Sequence, residues 1–514
     1  MKKRILYIVV MIISLFNLCS CSKDNDIESI DTSSFGGNLN WIVTNENQDT
    51  SEQYPSYDEI KDKYPDKTVL VWVMEGSMYD YEAPVRVNEI NEYLDGHGYD
   101  FVLCIYPIKY SMDNDYYYTD RVIEMIEKGE QVDIIYTSFT NQGEAGNNAY
   151  HKDIYNGLFE PLDEYFKTEI GEKLYNIMPT NHWAGLRVNG KIYGVDGSMH
   201  NLSDDYGYYV NAELADKYGF DISKPIEEQL DILQAVKENE NCDVFAMYNN
   251  LNIQSFYSDV QDITSAVFWD ENEKCAKSVL ENNVYLERIK FFMFLKEKNF
   301  ITNTSKVQLN NFFILQSNYA GGKKIYKDGK PCDVDYWGNT ISAYPVFNEN
   351  TSVRASYMAT GICSSSQYKD EAFELLALTQ TDPYLNNLMS FGIEGTDYNL
   401  VNGKVDVVGN RISLDRFINK MICYPFEDEP LDMAAAYTEV FENAIIHPDT
   451  EFAFDGRGTE RETADTFDVL FENTFLHGDS FDESLAELEK NLEESGIQKI
   501  IDECNRQYEE YKNK

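Results

Sequence analysis

The chain has 514 residues and a formal net charge of −46, because 89 acidic side chains face 43 basic ones. A surface this acidic repels phosphate polymers and anionic lipid headgroups, which argues against nucleic-acid binding and against membrane attachment by charge. Hydrophobic residues make up 43% of the chain, which is enough to build packed cores. The length exceeds what a single core usually supports, so the sequence predicts two domains.

The N-terminal segment has the features of an export signal. Basic residues 2–4 precede the apolar stretch Ile5–Leu18, and small residues then lead to Cys21. A basic start followed by an apolar stretch this short is typical of a cleaved signal peptide rather than a membrane-spanning helix. Leu18-Cys19-Ser20-Cys21 resembles a bacterial lipobox. We therefore predict a signal peptide over 1–20 and lipidation of Cys21; an ordinary signal peptide that ends in cysteine is the alternative.

A polar, acidic segment over 21–65 follows and is predicted to be a flexible, lipidated tether. Beyond it, apolar strand-like runs alternate with helical periodicity, and the alternation predicts a parallel α/β sheet. The predicted elements are a strand over Thr68–Met74, a helix with Val87, Ile90 and Leu94 on one side, a strand over Tyr99–Ile108, a helix over Arg121–Lys128 and a strand over Val132–Tyr136.

The rest of the chain carries one sharp turn signal and a helical end. Asn189-Gly190 supplies the two positive-φ positions of a type I′ turn and predicts a hairpin. Strands and turns are expected between Ile314 and Tyr357. The last third is expected to be mainly helical, ending in an amphipathic stretch from Phe481 to Tyr511 that Ser495-Gly496 interrupts.

Three segments together resemble one family, the extracellular solute-binding lipoproteins of carbohydrate ABC importers (solute-binding family 1, large Firmicutes type). The first is Gly157–Tyr165 with the downstream Asn189–Val195, where Asp196 replaces the proline usual in the family. The second is Phe391–Tyr398, similar to a Gly-Ile-Glu-Gly segment of that group, and we interpret its Glu394 and Asp397 as structural. The third is the tail from Gly478 to Gln507.

The resemblance implies an α/β, two-lobed periplasmic-binding-protein-like fold of type II, with a ligand cleft between the lobes and a helical C-terminal region. We place lobe 1 at 66–195 and 306–348, and lobe 2 at 196–305 and 349–514. The resemblance further implies a monomer without a cofactor, held at the outer face of the cell membrane by its lipid anchor alone. The expected partners are a carbohydrate and the permease subunits of an ABC transporter.

Candidate ligand-binding residues follow from the position of the cleft and the chemistry of sugars. Ligands of parallel α/β sheets bind beyond the carboxyl ends of the strands, which selects Glu75 and Ser138. Aromatic rings stack on the apolar faces of sugars, which selects Trp269 and Trp337, with a core role as the alternative for both. Three further residues lie near the expected crossings between lobes: Asp196, Tyr208 and Tyr357. Trp72 lies mid-strand and is predicted to be a core residue.

Signals for catalysis and for metals are weak or missing in the sequence. It contains no Gly-x-Ser-x-Gly, His-Glu-x-x-His or Walker-type motif. The cysteines beyond the signal form no Cys-x-x-Cys pair, so zinc is not predicted. Asp333-Val334-Asp335 begins like a calcium loop, but Trp337 takes the next ligand position. The sequence therefore leaves calcium binding undecided. We therefore predict a non-enzymatic carbohydrate receptor. The alternatives are a surface glycoside hydrolase, a receptor for a peptide or other non-sugar solute, and a sensory partner of a membrane kinase.

Overall fold

The structure is a computed structural model that describes residues 54–75, 85–108, 118–137, 149–202, 207–247, 261–302, 312–317, 332–336, 339–346, 352–356, 358–408, 417–426, 429–471 and 480–513. Its α-helices are α1 (Tyr57–Lys63), α2 (Val87–Gly96), α3 (Tyr118–Glu127), α4 (Ala149–Tyr155), α5 (Glu169–Ile177), α6 (Ala212–Tyr218), α7 (Leu230–Asn239), α8 (Asn283–Glu297), α9 (Lys369–Thr381), α10 (Pro383–Phe391), α11 (Met433–Asn443), α12 (Glu460–Phe471), α13 (Phe481–Glu494) and α14 (Ile497–Lys512).

Most of the strands belong to two sheets. They are β1 (Thr68–Glu75), β2 (Phe101–Ile108), β3 (Ile134–Tyr136), β4 (Arg187–Val188), β5 (Lys191–Ile192), β6 (Gly207–Asn211), β7 (Asp243–Met247), β8 (Gln261–Asp262), β9 (Val267–Asp270), β10 (Cys275–Ser278), β11 (Ile301–Thr302), β12 (Phe312–Ser317), β13 (Cys332–Tyr336), β14 (Asn339–Val346), β15 (Ser352–Val353), β16 (Thr360–Ile362), β17 (Tyr398–Val401), β18 (Lys404–Val407) and β19 (Ile445–Ile446). Short 3-10 helices cover Tyr165–Lys167, Thr180–Leu186, Ile226–Gln229 and Val279–Glu281.

The first sheet has the order β16-β3-β1-β2, with β1 parallel to both β2 and β3 and β16 antiparallel to β3. Strands β1 and β2 are apolar runs whose consecutive residues are buried, among them Leu70, Val73 and Leu103, as in a sheet covered on both faces. Asn91 of α2 completes the edge of β2: its side chain bonds both the N–H and the carbonyl of Leu103, at 2.7 and 2.8 Å. This parallel α/β unit confirms the prediction made from the alternating pattern.

The second sheet has the order β11-β7-β12-β6-β14-β13. Strands β11, β7 and β12 are parallel, whereas β6, β14 and β13 continue the sheet in antiparallel pairs. A separate hydrophobic core covers this sheet and includes Phe245, Phe313 and Ile314 together with Leu488 and Ile500 of the C-terminal helices. The antiparallel sheet β10-β9-β8 joins the same core, where Asn505 of α14 accepts a hydrogen bond of 2.7 Å from the N–H of Ala276.

The sheets assign two segments to the opposite lobes from those predicted. Strands β12, β13 and β14, within predicted lobe 1, pair in the second sheet. Strand β16, within predicted lobe 2, pairs with β3 of the first sheet, and Phe373 and Phe441 lie in the first core. The predicted lobe boundaries were therefore wrong for these segments, because short apolar strands do not encode which sheet they join. Among the described residues, those within 54–202 and 352–446 form the first domain and those within 207–346 and 447–513 form the second, although Ala453 packs in the first core.

Two local predictions are confirmed by backbone geometry. Asn189 and Gly190 have φ values of 52° and 84° and connect β4 to β5, as a type I′ turn requires. Gly496 has a φ of 86° and separates α13 from α14, where the sequence indicated an interruption. In the described ranges, no helix is both long enough and apolar enough to span a membrane. The predicted signal peptide, the tether up to residue 53 and Cys21 lie outside those ranges.

Candidate ligand-binding cleft

The two domains are connected at matching edges of their sheets. In the first sheet, Val195 and Thr360 exchange two backbone hydrogen bonds of 2.8 and 2.9 Å, and Thr360 pairs with Tyr136 at the carboxyl end of β3. In the second sheet, Tyr208 pairs with Val346, the last residue of β14. The connecting segments therefore leave the first sheet at the carboxyl ends of its parallel strands.

The same relationship holds in the second sheet. The last residue of β12, Ser317, pairs with Gly207, the first residue of β6, and β12 runs parallel to β7. The connection from the first domain therefore enters at the carboxyl ends of β7 and β12. Ligands of open α/β sheets bind beyond these ends, so the space between the two edges is the candidate binding cleft.

The three connecting segments lie side by side at their first-domain ends. Leu202 forms an antiparallel bridge with Val353, and β15 pairs in parallel with β19, placing Ser352 beside Ile445. The N–H of Arg354 also donates to the carbonyl of Asn201 at 2.7 Å. Paired connecting segments form a narrow, hydrogen-bonded ribbon, which is the arrangement that hinge rotation between two domains requires.

Asp196 is buried within this ribbon and ties two of its segments together. Its carboxylate accepts hydrogen bonds from the N–H of Ser198 at 3.1 Å, the N–H of His200 at 2.7 Å and Oγ of Ser356 at 3.0 Å, and His200 Nδ1 lies 3.0 Å from Oδ1. Burial by itself raises the pKa of Asp196, but the bonds and charge of His200, together with His182 and Ser356, outweigh burial and lower it. Both oxygens of this carboxylate are therefore engaged by protein groups, with Ser356 sharing its one hydroxyl proton between Asp196 and the carbonyl of Met358.

The structure places two further predicted ligand residues at the cleft edges. Glu75 is the last residue of β1, beside Ile108 at the end of β2. Tyr208 is half-buried, and its ring meets that of Phe245 edge-on at 5.6 Å. The side chain of Glu75 and the whole of Ser138, Trp337 and Tyr357 lie outside the described residues.

Trp269 is a core residue of the second domain. Its side chain is 1% exposed, its Nε1 donates to Asp449 at 3.0 Å, and its ring lies 4.1 Å from that of Tyr508. Phe452 packs against the same ring at 5.7 Å. The core role left open by the sequence is therefore the one observed, and sugar stacking is not. Trp72, predicted as core, is also 1% exposed.

Sequence reasoning missed a buried carboxyl group in the first domain. Tyr118 donates through its hydroxyl to the carbonyl of Val73 near the end of β1, at 2.8 Å, and its neighbour Thr119 donates to Asp153 Oδ1 at 2.8 Å. Asp153 Oδ2 has no hydrogen-bond partner among the described residues. Burial raises the pKa of Asp153 to about 7, against the opposing bond of Thr119 and charge of Lys152. One acidic residue inside a helix gives no sequence signal of this kind.

Comparisons with known proteins agree with this architecture. A "Carbohydrate ABC transporter substrate-binding protein" of Streptococcus pneumoniae serotype 4 is 24% identical over 419 residues, covering 75% of this chain and 83% of the relative. The crystal structure of the N-glycan transport solute binding protein (NgtS) from Streptococcus pneumoniae matches with a TM-score of 0.65 and 20% identity, over 87% of this chain and 99% of that one. The chain has the fold of these solute-binding proteins, and the resemblance predicted from its motifs is confirmed.

A further structure and a family profile extend the comparison. An HMO-binding, ABC-transporter-associated solute binding protein from Bifidobacterium longum infantis matches with a TM-score of 0.53 and 13% identity, over 87% of this chain and 99% of that one. A domain of unknown function (DUF3502) matches residues 450–513. In this chain the matched segment is not a separate unit, because Phe452, Leu488, Ile500 and Tyr508 share one core with β7 and β12.

The expectation that the chain is not an enzyme agrees with the relatives it matches, which are named as binding proteins. Across the described ranges, no group of three or more histidine, cysteine or acidic side chains could hold a metal ion. The calcium question raised by Asp333 and Asp335 concerns a strand whose side chains the structure does not describe.

Proposed function

We propose that the protein is the receptor of a carbohydrate ABC importer and that it binds an oligosaccharide between its two domains. The observation that carries the proposal is that the connecting segments join the two sheets at the carboxyl ends of their strands, where open α/β sheets bind their ligands. The relatives supply the ligand class: NgtS has been solved in complex with Man1GlcNAc and Man5GlcNAc. We extend that class, an oligosaccharide, to this chain.

The mechanism needs no covalent step. A solute that contacts both domains binds the closed arrangement better than the open one, so it shifts the population toward the closed form. The permease then recognises that form and receives the solute. The hydrogen-bonded ribbon of connecting segments confines the motion to a rotation, because it holds the first-domain ends of those segments in register.

Specific roles follow for the residues at the cleft edges. We assign hydroxyl binding to Glu75 and Ser138, and stacking on a sugar ring to Tyr208, Trp337 and Tyr357. Asp196 acts through the ribbon, since both oxygens of its carboxylate already bond groups of the protein. In this proposal Trp269 has no ligand contact.

The proposal includes export and anchoring outside the cell. The basic, apolar and small-residue pattern up to Cys21 supports cleavage before that cysteine and its lipidation. The mature protein then works as a monomer at the outer face of the membrane, with its permease as the partner.

The experiment is calorimetric titration of the purified protein with a panel of mannose- and N-acetylglucosamine-containing oligosaccharides, with product analysis after each titration. We expect saturable binding of at least one member and its recovery unchanged. The variant Tyr208→Ala should weaken that binding at least about tenfold, since stacking contributes on the order of 1–2 kcal/mol. Tyr384→Ala is the matched control, because this tyrosine is 61% exposed on α10. Products of hydrolysis would instead favour the glycoside hydrolase.

A further inference from the structure

A second contact joins the two domains away from the connecting ribbon. We call it the back contact. It joins Tyr155 and Asn189 of the first domain to Glu451, Ala453 and Arg457, in a segment whose Phe452 packs in the second core while the side chain of Ala453 reaches the first core. The Tyr155 hydroxyl donates to the carbonyl of Ala453 at 2.6 Å, and Arg457 Nη1 donates to the carbonyl of Tyr155 at 3.0 Å. The N–H of Asn189 donates to the carbonyl of Glu451 at 3.2 Å, and its side chain donates to the Tyr155 hydroxyl at 3.3 Å.

The back contact lies toward the amino ends of the first sheet, opposite the cleft. Tyr155 is the last residue of α4, and shortly after it the N–H of Glu160 donates to the carbonyl of Ile362 at 2.9 Å. Ile362 pairs with Ile134, the first residue of β3. The connecting ribbon instead joins this sheet through Thr360, beside the last residue of β3. The ribbon therefore lies between the back contact and the cleft.

Arg457 is held firmly by the second domain. The neighbouring Asp455 and Gln507 of α14 exchange two hydrogen bonds of 2.8 Å, and Lys499 donates to the carbonyl of Gly458 at 2.8 Å. Arg457 also forms an ion pair with Asp455. The segment around Arg457 therefore moves with the second domain, whereas Tyr155 moves with the first.

We propose that the back contact holds the solute-free protein open and thereby sets its affinity for solute. This inference rests on the proposed function. A rotation about the ribbon that brings the carboxyl edges together separates groups on the opposite side of the axis. Closure therefore breaks the bonds from Tyr155 to Ala453 and from Arg457 to Tyr155. The ion pair within the second domain survives closure, so only the bonds that cross between the domains oppose it.

The size of the effect follows from the chemistry of the contact. The hydrogen bonds are partly open to water, and water molecules replace them when they break. Each bond therefore stabilises the open form only modestly. Removing one of these bonds should raise the ratio of closed to open molecules about two- to fivefold. Where the closed form is the minor one, the apparent affinity for solute rises by the same factor.

The test measures solute affinity of Arg457→Ala and Tyr155→Phe by calorimetry, with the ligand found for the wild type. Both variants should bind about two- to fivefold more tightly. Arg461→Ala is the matched control, since Arg461 is an exposed arginine of the same domain whose ion pair, with Asp465, stays inside α12. It should bind like the wild type. Unchanged or weaker binding by both back-contact variants would overturn the inference.

A measurement without solute separates this inference from the proposed function. Dyes attached at Glu92 and Lys490, which are exposed on α2 and α13, report the distance between the domains by single-molecule energy transfer. Arg457→Ala should raise the population of its minor state about two- to fivefold over the wild type. If the wild type bound no oligosaccharide, the proposed function would fail, and this population shift would still decide the back contact. An identical distribution in both proteins would refute it.

Discussion

Arg86 and Asp397 form an ion pair that links the start of α2 to a segment 311 residues further along the chain. Arg86 Nε donates to Asp397 Oδ2 at 2.9 Å, and its Nη2 bonds the other carboxylate oxygen. Asp397 Oδ2 also accepts from the N–H of Ile393 at 2.8 Å. Gly392 has a φ of 86°, and a Cβ there would lie 2.3 Å from Asp397 Oδ2. The Gly-Ile-Glu-Gly-Thr-Asp segment therefore folds around the Asp397 carboxylate.

We expect Asp397→Ala to lower the free energy of unfolding by about 2–3 kcal/mol, because it removes a charge-assisted pair from a mostly buried site. Glu394→Ala is the matched control. The sequence suggested a structural role for Glu394 as well, but Glu394 is exposed in the same segment, so this variant should lose no more than about 0.5 kcal/mol of the free energy of unfolding. Urea denaturation of both variants measures the difference. Equal losses would contradict the role assigned to Asp397.

Trp269 offers a test that separates stability from binding. We expect Trp269→Phe to lower the free energy of unfolding by about 1–3 kcal/mol, since it removes the Nε1 bond to Asp449 and leaves space in the core. Solute affinity should be unchanged. Chemical denaturation and calorimetry on the same preparation measure both quantities. Tyr208→Ala, which should weaken solute binding, is the comparison. Loss of affinity in Trp269→Phe at unchanged stability would restore sugar stacking as its role.

The sequence predicted elements well and their pairing poorly. Val87, Ile90 and Leu94 mark the buried side of α2, and Asn189-Gly190 marks a turn, because these signals are local. Strand β12 carries no mark of the sheet it joins, because that choice depends on contacts with residues far along the chain. For Trp269, composition could not distinguish a core ring from a ligand platform, since both are large and apolar.

Asp153 should make stability depend on pH. Burial raises its pKa to about 7 in the folded protein, against an ordinary value near 4 in the unfolded chain. The protonated carboxyl group of Asp153 therefore contributes stability that is fully present below about pH 4 and is lost as the pH rises through about 7. Between pH 5 and pH 8 the free energy of unfolding should therefore fall by about 2–3 kcal/mol more in the wild type than in Asp153→Asn. Urea denaturation at both pH values measures this. An identical fall in the free energy of unfolding of both proteins would contradict the raised pKa of Asp153.

The C-terminal segment over 450–513 should not fold by itself. Its apolar side chains, including Leu488, Leu492 and Cys504, complete the core of the second domain. A chain ending at residue 449 should expose that core and lose the cooperative unfolding transition of the second domain. The isolated segment should show little helix by circular dichroism, because an amphipathic helix depends on the partner for its apolar face. A helical, cooperatively unfolding fragment would contradict this.

The central claim is that two domains close on an oligosaccharide that they leave chemically intact. Small-angle X-ray scattering of the purified protein, with and without the tightest-binding member of the oligosaccharide panel, tests it most directly. Saturation should reduce the radius of gyration, and the saccharide should be recovered unchanged. Saturable binding with no change in the radius of gyration would contradict closure between the domains.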